Sequence, residues 1–338
     1  MISEKSPAIL IIRRDNIGDL VCTTPLLHAL RQKFPGAWIG LLVNSYNAPV
    51  VEGNPDLDEV FVYTKTKHRS PGESLLGVLW RRLKMLLRLR RMGVDDILIA
   101  TTAWQPRTVR MAHWLKAKRV IGFSDKAREE LDIALLPDAK PLHEVEDVFR
   151  LAKLYDIAGA PPALQVFSTA ASAHDEPRIA IHISARKPSQ RWPGERSAAL
   201  MRRLRERHGA RFVLLWSPGG SDNPLHPGDD EKAADVLRRL GKDFPVTAIA
   251  TSTLRELIAA LASCDAMICS DGGAMHLAAG LGLPIVCLFG NSGAARWRPW
   301  GVPYRLLQKE SCDVIDISVD EVAAAFNELP LRGGQARE

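Results

Sequence analysis

The sequence predicts an α/β protein made of two doubly wound halves, each a mostly parallel sheet with helices on both faces. Three observations carry this. Apolar strand-like runs alternate with amphipathic helical stretches along nearly the whole chain, the pattern of parallel βαβ units. The alternation breaks at residues 168–177, a small, polar and weakly periodic stretch that reads as a linker, and then restarts. The chain has 338 residues, enough for two α/β domains of ordinary size.

The elements follow in order. Ile9-Leu10-Ile11-Ile12 is a buried-strand run, and further strands are expected at 38–43, 59–63, 96–100 and 119–122. Helices fall between them near 25–33, 47–52, 75–92 and 107–116. The first of these has Pro25 in its opening turn and Thr24 before it as a cap. One more helix, 143–158, closes a first domain of residues 1–167. The second domain, 178–331, is expected to run through strand 178–183, helix 194–207, strand 212–216, helix 230–240, strand 246–249 and helix 254–262. A glycine-rich unit follows, then a short strand near 305–308 and a last helix at 319–329. Residues 332–338 read as a frayed tail.

Composition narrows the class. A hydrophobic content of 46% and a charged content of 25% are those of a soluble globular protein. No apolar run approaches the roughly 20 residues of a membrane span. Met1-Ile2-Ser3-Glu4-Lys5-Ser6-Pro7 lacks the layout of a signal peptide, so a cytoplasmic protein is expected. Cys22, Cys264, Cys269, Cys287 and Cys312 are scattered and odd in number, which suggests reduced core residues rather than a disulfide framework or a zinc site. The formal charge of +6 favours acidic partners. The segment 79–92 is helical, with Leu79, Leu83, Leu86 and Leu87 along one face and basic residues on the others. It reads either as a solvated surface helix or as a surface for anionic lipid headgroups. No aromatic-interleaved basic patch and no helix-turn-helix motif points to nucleic acid.

Two loops carry the chemistry. Ser270-Asp271-Gly272-Gly273 follows an apolar strand and opens a small-residue helix leading to a second buried strand at 284–289. Such a turn presents backbone N–H groups at a helix N-terminus, where the dipole favours an anion, so Gly272 and Gly273 read as a phosphate cradle. Asp271 can orient the turn, bond the ligand or cap the helix. His276 can reach a phosphate or sit satisfied on its helix. After the first strand, Arg13-Arg14-Asp15-Asn16-Ile17-Gly18-Asp19 forms a charged loop before a helix. Asp19 can act as a general base or cap the helix that begins near Thr23; Asp15 lies in the same loop. Residues 184–193 follow the first strand of the second half and carry Arg186, Lys187 and Arg191, cations suited to a diphosphate. Ser217, in Trp216-Ser217-Pro218-Gly219-Gly220, ends another strand and is placed for a nucleotide. No Walker A loop or G-x-G-x-x-G fingerprint follows the first strand. Asp56-Leu57-Asp58 spells Asp-x-Asp but reads as turn chemistry, so no metal is expected.

Arg14-x-x-x-Gly18-Asp19-x-x-x-x-Thr24-Pro25 resembles the opening motif of the family 9 glycosyltransferases, the ADP-heptose:lipopolysaccharide heptosyltransferases. Asp271-Gly272-Gly273-Ala274-Met275-His276-Leu277-Ala278, with Pro284 and Phe289-Gly290, resembles that family's Asp-Ser/Thr-Gly-x-x-His-Leu signature, and Arg191-Trp192-Pro193 its Lys-Arg-Trp-Pro segment. The markers keep their order over about residues 8–300. The resemblance implies a GT-B fold of two facing Rossmann-like domains with an interdomain cleft, the acceptor in the first half and the nucleotide sugar in the second. It implies Asp19 as catalytic base, with Arg14, Asp15 and Gly18 in the acceptor-side loop. Asp271, Gly272, Gly273 and His276 fall on the donor-phosphate side. The implied activity is inverting, metal-independent transfer of heptose from ADP-heptose to a lipopolysaccharide-core or related glycan, lipid-linked at the inner face of the membrane. Gln190 departs from the pattern, standing where the family usually has Lys, and Asn291-Ser292-Gly293 departs from its Pro-Thr-Asp loop. Another donor, a protein acceptor, or a nucleotide-sugar-binding protein without catalysis are the rival readings.

Overall fold

The computed structural model describes residues 6–63, 74–169, 176–222 and 227–331. The expected tail at 332–338 and most of the expected linker lie outside them. Contacts divide the chain into two units, Met1–Pro162 and Ala163–Glu338.

The first unit holds β1 (Ala8–Ile12), α1 (Ile17–Val21), α2 (Thr24–Lys33), β2 (Trp38–Asn44), β3 (Glu59–Tyr63), α3 (Leu75–Met92), β4 (Asp96–Ile99), α4 (Pro106–Leu115), β5 (Arg119–Phe123), β6 (Ile133–Leu135) and α5 (Glu144–Phe149). Its sheet has the order β3-β2-β1-β4-β5-β6, with every neighbouring pair parallel. The strands are continuous apolar runs because both sheet faces are covered. Leu10, Ile12, Leu42, Ile97 and Ile99 meet Leu89, Val109 and Leu115 from the helices in one core.

The second unit repeats the plan with β7 (Arg178–His182), α6 (Gly194–His208), β8 (Arg211–Trp216), α7 (Asp230–Leu240), β9 (Val246–Ala250), α8 (Leu254–Ala262), β10 (Ala266–Ser270), α9 (Gly273–Gly280), β11 (Ile285–Phe289), α10 (Ala294–Trp297), β12 (Tyr304–Gln308) and α11 (Val319–Asn327). Its order, β12-β11-β10-β7-β8-β9, is again all parallel. Counted within each unit, both sheets run 3-2-1-4-5-6. The order therefore reverses direction between β1 and β4 in one, and between β7 and β10 in the other. Ligands of such sheets bind beyond the carboxyl ends of the strands at that switch point.

Several elements differ from expectation. The loop before Asp19 is not all loop, because Asn16 and Asp19 form a capping box that opens α1. The helix expected at 143–158 is two pieces, α5 and a 3₁₀ turn at Ala152–Tyr155 that ends on Asp156 at φ 55°. The edge strand β6, three half-buried residues long, carries too little pattern to be read. The division between units falls at 162–163 rather than after 167. Val166 donates its N–H to the Gly280 carbonyl at 2.8 Å, and a Cβ on Gly280 would come within 2.5 Å of Val166 Cγ2. In α3, Val78 and Leu89 are buried, whereas Leu79 and Leu83 are 47% and 41% exposed. Among the described residues no helix is long and apolar enough to cross a membrane.

Candidate functional site

At the switch point of the first unit, β1 runs out into Arg13, whose side chain is only 1% exposed. Its Nη2 donates to Asp19 Oδ1 at 2.9 Å and to Glu144 Oε1 at 2.6 Å, its Nε lies 3.3 Å from Asp15 Oδ2, and its Nη1 donates to the Ala100 carbonyl just past β4. Burial alone would drive the guanidinium's pKa down. The opposing charges of Glu144, Asp19 and Asp15 overcome this and hold it above its ordinary value. Glu144 is itself buried and opens α5 through a box in which Val145 N–H donates to His143 Nδ1 and His143 N–H to Glu146 Oε2.

Asp19 occupies the first turn of α1. Its Oδ2 accepts from both the backbone N–H and the Nδ2 of Asn16, each at 2.9 Å, and its Oδ1 accepts from Arg13. A carboxylate offers about four lone-pair positions, so Oδ1 has capacity for one further donor, such as a ligand hydroxyl. Asp19 thus caps α1, not the helix near Thr23, and the cap leaves that capacity intact. Asp15 accepts from Thr101 Oγ1 at 2.7 Å, and its carbonyl accepts from the Tyr46 hydroxyl. Burial, with the charges of Asp19 and Asp15, pushes that hydroxyl up to about 12. Gly18 is buried in α1. Arg14 turns elsewhere: it donates to Thr108 Oγ1 at 2.7 Å and stacks over Tyr63 at 4.7 Å, and burial lowers its pKa. Asp15, Gly18 and Asp19 are therefore brought together and Arg14 is not. The Asp-x-Asp carboxylates serve local structure, Asp56 with His28 at 3.0 Å and Asp58 with Arg31 at 2.6 Å.

In the second unit, β10 ends at Ser270 and the turn Asp271-Gly272 leads into α9, which starts with no side-chain cap. The first N–H groups of a helix have no partner within it. A Cβ on Gly272 would meet nothing within 4 Å, and its φ of 165° is ordinary extended backbone. Neither packing nor backbone strain requires glycine there, which leaves the space beside the turn open to a ligand. Asp271 Oδ2 accepts from Gln190 Nε2 at 2.9 Å, and the same Nε2 donates to Ser292 Oγ at 3.1 Å. Burial raises the Asp271 pKa, opposed by Ser292, Lys187 and Gln190. Gln190 is buried, on a loop whose Ser189 carbonyl leaves no room for a Cβ on Gly290. His276 is buried on α9 with its ring edge-on to Trp297, centroids 6.0 Å apart.

The cations are spread. Arg186 is exposed and Lys187 half-buried. Arg191 Nε donates to the Ala185 carbonyl at 3.0 Å, while its Nη2 is buried with no hydrogen-bond partner. Trp192 anchors this loop by donating to the Ile317 carbonyl at 2.9 Å. Lys232 of α7 donates to the Ile183 carbonyl, just past β7, at 2.7 Å. Burial and the charge of Arg191 bring its pKa down to about 8 against the pull of Asp229. Burial and the charge of Lys232 lower His182 to about 4. Ser217 is exposed at the end of β8, its N–H donating to Ser184 Oγ at 2.9 Å. Among the described residues no group of three or more His, Cys, Asp or Glu side chains is arranged to hold a metal ion.

Sequence reasoning passed over Arg13, Glu144 and Lys232. Arg13 had a signal, as the first charge after an apolar strand. Glu144 lies 131 residues from its partner and had none.

Comparison with known proteins places the chain in a family. Residues 82–314 match the model of glycosyltransferase family 9 (heptosyltransferase). Lipopolysaccharide heptosyltransferase 3 of Escherichia coli (strain K12) is 22% identical over 307 residues, covering 84% of this chain and 82% of that protein. Lipooligosaccharide heptosyltransferase 2 of Haemophilus influenzae is 24% identical over 297 residues, covering 83% of each. Among solved structures, a family 9 glycosyl transferase from Veillonella parvula has a TM-score of 0.78 at 20% identity, covering 95% of this chain and 96% of that one. The E. coli heptosyltransferase WaaC with ADP has a TM-score of 0.74 at 18% identity, covering 95% and 99%. These structures share the GT-B arrangement of two parallel sheets with flanking helices.

The Arg13 cluster sets a stability prediction. Arg13→Met leaves Glu144 buried without its counter-charge and is expected to cost about 3–5 kcal/mol, read from urea unfolding. Adding Glu144→Leu is expected to recover a large part of that loss. A single variant within about 1 kcal/mol of wild type would show that the guanidinium does not hold the cluster.

Proposed function

The chain belongs to glycosyltransferase family 9 (heptosyltransferase), and from that premise we propose that it moves heptose from ADP-heptose to a lipopolysaccharide-core or related, lipid-linked glycan, with inversion and without a metal. The observation that carries the reading is the placement of Asp19 and of the Asp271-Gly272-Gly273 turn. Each lies at the switch point of its own parallel sheet, where folds of this kind bind ligands. The adenine nucleotide is supported by solved WaaC structures, one with ADP and one with ADP-2-deoxy-2-fluoro heptose.

On this reading the acceptor hydroxyl donates a hydrogen bond to Asp19 Oδ1. As its oxygen attacks the anomeric carbon from the face opposite ADP, the proton passes to Asp19. Arg13 and Asn16 keep the carboxylate fixed while this happens. The bond from the anomeric carbon to the phosphate oxygen breaks, with its electron pair leaving on ADP. The N–H groups at the start of α9 face the charge that grows there and need no reorganisation. Gln190, in the position where the family usually has Lys, supplies no charge; it holds Asp271 and Ser292 instead. The positive charge that balances the diphosphate is assigned to Arg191, with its buried and unpartnered Nη2, and to Lys232 beside it, with Lys187 and the exposed Arg186 toward solvent. Ser217 and His276 remain on the donor side, Ser217 for the nucleotide and His276 supporting the turn through α9.

Calorimetric titration with ADP, UDP, GDP and dTDP in EDTA, followed by transfer assays with ADP-heptose and truncated core acceptors, tests this directly. Selective ADP binding and transfer that persists in EDTA are expected. Preference for another nucleotide would overturn the donor, and transfer restored only by a divalent cation would overturn metal independence.

A pH dependence follows from Lys232. Its pKa of about 8 lies below the usual lysine value, and a bound diphosphate favours the protonated form and pulls it up again. ADP binding near pH 8 therefore takes up protons, and affinity falls as pH rises above 8. Titrations in buffers of different ionisation enthalpy are expected to show this uptake, and Lys232→Met to abolish it. Equal uptake by the variant would remove Lys232 from the site.

A further inference from the structure

The helix α3 is turned the wrong way for an ordinary surface helix. Its buried residues are Val78 and Leu89. With about 100° between successive residues, Leu76, Trp80 and Leu83 lie within roughly 50° of the line opposite that buried pair. They are 77%, 56% and 41% exposed, and Leu75 and Leu79, roughly 90° or more from that line, are each 47% exposed. These are five of the ten large hydrophobic side chains most exposed to solvent among the described residues. A surface helix normally shows its apolar stripe to the core and its polar face to water; here the outermost line is apolar.

Charge is concentrated on the same helix. Arg81, Arg82, Lys84, Arg88, Arg90 and Arg91 give it six cations, and it contains no Asp or Glu. The whole chain carries 45 Lys and Arg against 39 Asp and Glu. Removing the six leaves 39 of each, so the net charge of the protein is the charge of α3. Lys84 and Arg91 are exposed on the flank of the apolar line, and Lys84 Nζ lies 5.2 Å from the centroid of the Trp80 ring. Arg88 reaches back to Glu59, which braces the helix against β3.

We propose that α3 is a membrane-docking helix that lies in the interface of an anionic lipid bilayer, with Leu76, Leu79, Trp80 and Leu83 entering the headgroup–acyl boundary and Lys84 and Arg91 meeting lipid phosphates. An apolar pole rimmed by cations fits a surface that is apolar below and anionic above. A polyanion such as RNA matches the charge but has no use for four exposed apolar side chains. A core-facing role is already taken by the opposite side of the helix. The inference goes beyond the transfer reaction and does not rest on the donor, so vesicle binding and sugar transfer can fail separately.

The test is co-sedimentation with vesicles of phosphatidylcholine alone and of phosphatidylcholine with phosphatidylglycerol. Wild type is expected to bind the anionic vesicles, and binding is expected to weaken as salt is raised. Lys84→Gln and Arg91→Gln are each expected to weaken it roughly fivefold. Leu76→Ser with Trp80→Ser is expected to weaken it tenfold or more, with unfolding unchanged because both side chains are exposed. Absence of wild-type binding to anionic vesicles would overturn the proposal. So would full binding by the Leu76→Ser/Trp80→Ser variant, or duplex RNA competing equally well against wild type and that variant, since either would show a polycation and not an interfacial helix.

Discussion

A buried guanidinium is tolerated only when its surroundings supply negative charge and acceptors. Arg13 satisfies that requirement by drawing four parts of the first unit to one point. These are the end of β1, Asp19 of α1, the carbonyl that follows β4, and Glu144 at the start of α5. Asp15 adds a third carboxylate. The position of Asp19 is thereby fixed twice, by Arg13 on one oxygen and by the Asn16 capping box on the other. A base that must take a proton from a hydroxyl at one moment of the reaction gains from such fixing, because a misplacement of about an ångström is costly in rate.

The second unit uses the same strand order for a different purpose. Where β1 ends in a charged cluster, β10 ends in a turn whose open side has neither side chain nor cap. Backbone N–H groups suit a group that gains negative charge, whereas a carboxylate suits a group that loses a proton. Gln190 keeps the turn in place without adding charge. Its neutral amide bonds Asp271 and Ser292. The depressed lysine owes its shift first to burial, with the like charge of Arg191 adding to it against the pull of Asp229.

The strands were legible because parallel strands covered on both faces are written as unbroken apolar runs, and Ile9 to Ile12 or Ile285 to Phe289 cannot be mistaken. The glycine turn was legible because its chemistry is local. What escaped depends on distance or on direction. The partnership of Glu144 with Arg13 spans most of the first unit, and Lys232 reaches the Ile183 carbonyl from 49 residues away. Arg13 and Arg14 are neighbours pointing to different surroundings, and the resemblance to the family's opening motif selected Arg14. In α3 the sequence shows an apolar face but not which side the core takes; Val78 and Leu89 decided that. The short α1 exists through its capping box more than through helix propensity, since five residues are too few to form a helix alone.

The claim on which the rest depends is that Asp19 takes the acceptor's proton. Its most direct test is the rate of sugar transfer by Asp19→Asn at saturating donor and acceptor, with ADP affinity and unfolding measured on the same protein. Asn keeps an oxygen for Arg13 but cannot act as a base. A fall in rate of roughly a hundred- to ten-thousand-fold, with ADP binding and fold intact, is the predicted result. A variant that transfers sugar within about tenfold of wild type would contradict the account and move the base elsewhere in the molecule.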